Sequence, residues 1–169
     1  MIGSSPIFFE DLAIGYELEG SSITVTEAHV VAYAGIVGDF YHLHMNDVAA
    51  KQTPFGARVA HGPFTFALTI GQLAQRLTHL DVRVEAVVAM NNFRFSAPVF
   101  FGDTITPLGK VVSVKARDTN GSVTIEMTAR NQHGKDVFTG EFTLLVARRT
   151  KNDQTGRAAD SALDAAPAH

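Results

Sequence analysis

Apolar residues in this chain follow a helical spacing in its first half and give way to strand-like, β-branched runs after Asp81. Val30, Val31, Tyr33, Ala34 and Val37 share one helix, opened by Thr26, whose side chain can cap the first turn, and ended by Gly38. Asp39 then begins a loop. A short second helix is predicted over 46–52, capped by Asn46 or Asp47 and stopped at Thr53-Pro54, with one weak ion pair between Asp47 and Lys51. Over 62–77, Phe64, Ala67, Leu68, Ile70, Gly71, Leu73, Ala74 and Leu77 make a helix that is apolar almost all round, which predicts burial at the centre of the domain. Upstream, 8–25 reads as a loop and a strand, the strand falling at 21–25.

The second half predicts strands at 82–90, 92–96, 103–117, 122–132 and 137–148. The turn chemistry of Asp118-Thr119-Asn120-Gly121 and His133-Gly134-Lys135-Asp136 joins the last three as antiparallel hairpins. A sheet wrapped around one apolar helix accounts for this order, an α+β arrangement. Residues 1–149 are expected to form one domain, and the polar, alanine-rich stretch 150–169 a mobile C-terminal tail.

Composition narrows the chemistry. Apolar residues make up 46% of the 169 and charged residues 18%, so much of the surface is neutral and self-association is expected. A net charge of −3 without a basic stripe argues against nucleic acid as a partner. The chain lacks cysteine, which removes disulfides, thiolate nucleophiles and sulfur metal sites. The first residues lack a basic cluster and long apolar run, and no stretch reaches about 18 apolar residues. A soluble, cytoplasmic protein that does not engage a membrane is the expectation.

What remains for chemistry is carboxylate, imidazole, hydroxyl and backbone. Asp39 and His44 lie five positions apart in Gly38-Asp39-Phe40-Tyr41-His42-Leu43-His44, where together they can remove a proton from water and return it. Ala60-His61-Gly62-Pro63 reads as the start of the apolar helix. The Gly62 N–H there is a free donor at the positive end of the helix dipole, suited to a developing oxyanion. Pro63 is tolerated in a first turn. These features point to a hydration or dehydration site.

Four blocks in order carry a resemblance: Gly38 to Asn46, Pro54-Phe55-Gly56, Val59-Ala60-His61-Gly62, and Phe93-Arg94-Phe95-Ser96-Ala97-Pro98-Val99-Phe100-Phe101-Gly102-Asp103-Thr104. They resemble the MaoC-like dehydratases, a family that includes the (R)-specific enoyl-CoA hydratases. The resemblance runs from roughly the first strand to about Arg148. It implies a hot-dog fold, an antiparallel sheet wrapped around a long central helix, assembled as a homodimer or dimer of dimers. It also implies a reversible addition of water to a 2-enoyl-CoA thioester giving an (R)-3-hydroxyacyl-CoA. Asp39 and His44 match the pair that activates water, and Gly62 the glycine whose N–H meets the thioester oxygen. No cofactor and no metal are expected. Most such hydratases follow the aspartate with x-Asn-Pro, whereas Tyr41 and His42 stand here, so branched or ring-derived acyl groups join the expected substrates. Where some hydratases place a supporting serine this chain has Ile70, leaving Thr69 or Thr65 as substitutes.

Other residues have plainer readings. His61 is assigned to holding the loop before the central helix, and Asp103 to a turn. Phe55, Phe64, Phe66, Phe93 and Phe95 are candidates for an acyl pocket, although aromatic residues mostly fill cores. Phe64, Phe95 and Tyr41 are taken as substrate-binding. A hot-dog thioesterase and a non-catalytic acyl-binding subunit are the alternative readings.

Overall fold

A computed structural model of the protein describes residues 5–150. Apart from Thr150, the expected tail lies outside the described residues. After a 3₁₀ turn at Phe9–Asp11 come β1 (Glu17–Glu19), β2 (Ile23–Thr24), α1 (Glu27–Val37), α2 (His42–Met45), α3 (Asp47–Ala50) and α4 (Gly62–His79), then β3 (Val84–Phe95), β4 (Thr104–Ala116), β5 (Asn120–Asn131) and β6 (Asp136–Ala147). The strands form one six-stranded antiparallel sheet in the order β1-β4-β5-β6-β3, with β2 also on β4. Both expected hairpins are present, and Gly134 supplies the positive φ (75°) that the β5–β6 turn requires.

The expected strands 82–90 and 92–96 are one continuous strand. Its pairing with β6 slips between Asn91 and Arg94, where Asn92 takes a left-handed φ of 58°. A bulge inserts residues without ending a strand, so turn-like residues there do not mark a boundary.

Helix α4 differs from its expected all-round burial. Thr65, Thr69, Leu73 and Leu77 are buried, a stripe with a repeat of one turn, while Ala67, Gly71 and Ala74 are exposed. The sheet covers one side of the helix, and the small residues leave little apolar surface on the other. Leu73 rests against Gly109 of β4, where an added Cβ would lie 3.3 Å from its methyl group. Alternate residues of β4, β5 and β6, among them Ile105, Val111, Val123, Ile125, Met127, Phe138, Phe142 and Leu144, complete the core. The threonine hydroxyls are buried cheaply, because Thr65 donates to His61 O (3.4 Å) and Thr69 to Thr65 O (2.7 Å).

Helix α1 runs as its sequence signals direct. The Thr26 N–H donates to His29 Nδ1 at 3.2 Å, and Gly38 closes the helix in the left-handed region with its N–H on Ala34 O. The second helix is shorter than expected, and Asn46 caps it by accepting from the N–H groups of Val48 (3.0 Å) and Ala49 (3.1 Å). Asp47 pairs with Arg58 at 2.8 Å instead of with Lys51, since the chain folds back after α3 and brings a guanidinium within reach. Among the described residues, no helix is long and apolar enough to cross a membrane.

Because Leu73 is wholly buried where α4 meets the sheet, Leu73→Ala should lower unfolding free energy by about 2–5 kcal/mol in urea titrations. Gln75→Ala, on the exposed side, should change it by less than about 0.5 kcal/mol.

Candidate active site

The turn after α1 sets the first polar group. Gly38 reverses the chain, and Asp39 Oδ1 accepts the Tyr41 N–H at 3.2 Å, which stiffens the turn while leaving about half of the side chain exposed. The following residues, expected as loop, are helical: α2 carries His44 across to the 59–60 segment. That segment is itself pinned, through a bridge of Val59 to Phe100 and a bond from Ala60 N–H to Val99 O (2.8 Å). His44 Nδ1–H donates to Val59 O at 2.7 Å, which assigns the proton to Nδ1 and leaves the Nε2 lone pair available.

Burial pushes the His44 imidazole below the ordinary histidine value. His61 acts in the same direction, against the opposing pull of the Val59 bond and the Asp39 carboxylate. The ring is therefore disposed to stay neutral near pH 7, the form a proton acceptor needs.

His61, only 1% exposed, caps α4. Its Nε2–H donates to the Asp39 carbonyl oxygen at 3.0 Å and lies 3.8 Å from Asp39 Oδ2. Its ring lies 3.8 Å from the His44 ring, 30° from parallel, and 5.2 Å from Tyr33. Its Nδ1 is buried without a partner. Sequence reading gave His61 only the loop, yet it adjoins both Asp39 and His44; its place directly before Gly62 was the available signal.

Gly62 is the first residue of α4, so its N–H is one of those an α-helix cannot satisfy internally. It lines a cavity of about 340 Å³ together with His44, Leu43, Phe55, Thr65, Phe95 and Val137. The Phe95 ring lies 3.2 Å from where a Gly62 Cβ would be, so glycine permits this approach. Of the residues taken as substrate-binding, Phe95 lines the cavity. Tyr41 is exposed, its ring over His42 (4.1 Å) with an edge toward His44 (6.3 Å). Phe64 packs on Tyr33 (5.7 Å) and His29 (6.2 Å), fastening α1 to α4, and is not among the lining residues. Thr65 is at the wall, while Thr69 spends its hydroxyl on the helix.

Asp39, His44 and His61 each offer an atom within 4.8 Å of the others, a grouping that can be tested as a metal site. One nitrogen of each imidazole is already committed, His44 Nδ1 to Val59 O and His61 Nε2 to Asp39 O. The grouping suits proton transfer better than metal binding. A wider groove of about 570 Å³, lined by Glu17, Arg76, Lys110, Glu126 and Arg130 among others, shares no residue with this site.

Comparison with known proteins supplies the family. Residues 11–134 match the model of the MaoC like domain. The chain is 38% identical to protein MaoC of Klebsiella aerogenes over 58% of its own length and 28% of that protein's. It is 35% identical to a 3-hydroxybutyryl-CoA dehydratase of Methylorubrum extorquens over 59% and 60%. The chain thus spans less than two thirds of these two relatives. With the (R)-specific enoyl-CoA hydratase of Rhodospirillum rubrum the identity is 29%, over 84% of this chain and 93% of that one. Among solved structures, the monoamine oxidase regulatory protein from Archaeoglobus fulgius superposes with a TM-score of 0.84 at 32% identity, covering 89% of this chain and all (100%) of that one. A Mycobacterium tuberculosis protein described as a double hotdogfold superposes with a TM-score of 0.74 at 20% identity, over 87% and 46%. A sheet wrapped on one long helix, the match over most of the chain and these likenesses lead to one conclusion: the chain has the hot-dog fold and belongs to the MaoC-like dehydratase family.

Proposed function

We propose that this protein is a hydratase/dehydratase that adds water reversibly to a 2-enoyl-CoA thioester to give an (R)-3-hydroxyacyl-CoA. The observation that carries the reading is that a neutral-disposed imidazole, His44, and the helix-opening Gly62 N–H line one mainly apolar cavity, with the Asp39 carboxylate within 4.8 Å of the His44 ring just outside it. In the hydration direction, His44 Nε2 takes a proton from water as the oxygen bonds to C3. The C2–C3 electron pair moves toward the thioester, whose carbonyl oxygen gains charge opposite the Gly62 N–H. The proton returns to C2 through the Asp39–His44 pair, so the site ends as it began. Asp39 orients the water and assists as acid. The apolar wall of Leu43, Phe55, Phe95 and Val137 takes the acyl group and excludes solvent. The R configuration and the CoA thioester are supported by the relative so named, at 29% identity. Tyr41 and His42 beside the pair favour branched or ring-derived acyl groups within this class.

The active form is proposed to be a homodimer. Strand β3 ends the sheet order and is exposed along nearly its whole length, with Val84, Val87, Val88, Met90, Phe93 and Phe95 all exposed. A long apolar edge strand invites pairing, and a second copy of β3 matches it in length and polarity.

Asp39→Asn and His44→Ala, each assayed by loss of enoyl-thioester absorbance, should lower kcat by about 10²–10⁴-fold. Wild-type rates in both would end the assignment, and release of free CoA thiol would mark hydrolysis instead. Since the folded His44 titrates below the unperturbed value of about 6.5, the midpoint of the acid limb of kcat/KM should lie below that value, the rate falling as His44 gains its proton. A pH–rate profile with its acid limb above that value would contradict the assignment. Val88→Lys should convert the dimer to monomer in light scattering; an unchanged mass would place the interface elsewhere.

A further inference from the structure

His61 is a buried side chain that adjoins both groups of the proposed acid–base pair and takes no part in the proton transfer itself. Its ring covers a face of His44, at 3.8 Å between centroids. One nitrogen, Nε2, holds the backbone carbonyl of Asp39 at 3.0 Å. Its own carbonyl precedes the Gly62 amide in the same peptide unit, at the cap of α4. The other nitrogen, Nδ1, is buried and makes no hydrogen bond, a cost that an apolar ring of the same shape would avoid.

We propose that His61 is a positioning residue of this site, which fixes the Asp39 turn and the His44 ring relative to the Gly62 N–H from one buried point. This inference rests on the reading of Asp39 and His44 as the proton-transfer pair. The physical logic is that each of those two groups is otherwise weakly held. Asp39 is half exposed, with its carboxylate tied locally by the Tyr41 N–H. His44 is fixed by a single ring hydrogen bond to Val59, which leaves rotation about that contact to be limited by what lies on its faces. His61 limits it on one side, and Tyr41 approaches edge-on at 6.3 Å.

The groups that face this pair are Asp39 from the turn, Tyr33 from α1, and Tyr41 and His42 from the start of α2. Of these, the Asp39 carboxylate favours a proton on His44, and His61 disfavours one. Removing the His61 ring both opens His44 to water and removes that opposition. Both changes move the acid limb of the rate profile to higher pH.

Two variants separate the contributions. His61→Phe keeps a buried ring against His44 but loses the donor to the Asp39 carbonyl. His61→Gln keeps a donor and loses the ring. With an enoyl-CoA as substrate, both should lower kcat by about tenfold or more, since small misplacements of reacting groups are costly, with KM changed less than about threefold. Both should shift the acid limb upward, His61→Gln further than His61→Phe, which keeps a ring over His44. Imidazole ¹⁵N titration by NMR on the unliganded protein should show the same shift at His44, independently of activity. Thermal unfolding of each variant reports whether it is folded.

If His61→Phe is folded and keeps wild-type kcat and pH profile, His61 is packing only and the proposal fails. If His61→Gln leaves the His44 titration unmoved, the influence of its ring on His44 is refuted. Failure of the underlying reading is separate: it shows as wild-type rates in Asp39→Asn and His44→Ala, whatever the His61 variants do.

Discussion

The packing of one stripe of α4 on the inner face of the sheet sets the position of every polar group at its N-terminal end. Thr65, Thr69, Leu73 and Leu77 give the helix a single buried side, and Leu73 seated on Gly109 fixes how closely it approaches β4. A helix held along its length in this way cannot shift its first turn. The N–H of Gly62, unsatisfied by the helix itself, is thereby fixed at the rim of a cavity whose opposite wall comes from the end of β3 and the residues after it.

The segment between α1 and α4 turns this fixed end into a site. It is built from locally satisfied pieces: a glycine-capped helix end, an Asp39 turn, an Asn46 cap and an Arg58 side chain shared between Glu27 and Asp47. Each piece is modest in energy, for exposed ion pairs contribute about 0–1 kcal/mol. Their collective effect is geometric. They return the chain so that His44 meets Val59 and His61 meets Asp39, contacts between residues 15 and 22 apart in sequence. The polarity of the site is thus carried by hydrogen bonds that local turns bring together.

The electrostatic character of the pair follows from that placement. Half-burial of an imidazole disfavours its charged form, and a second imidazole against its face does so further, whereas a carboxylate nearby opposes both. A neutral ring with one nitrogen committed to a backbone carbonyl and the other unengaged is the arrangement a proton acceptor requires. The apolar lining strengthens every such interaction by lowering the local dielectric.

Reading residues alone reached the helix boundaries at Thr26, Gly38 and Gly62, both hairpins, the α+β class and the nearness of Asp39 to His44, because caps, turns and short spacings are local properties that a few neighbouring side chains dictate. It read α4 as buried all round, split β3 at its bulge, took 39–45 as loop, put Phe64 at the acyl wall and gave Asp47 to Lys51. Each of these depends on which surface another part of the chain covers, and composition does not encode that. His61 is the sharpest instance. A histidine before a helix looks like a cap until folding brings Asp39 to one edge of its ring and His44 to its face, a meeting that only the packed chain creates.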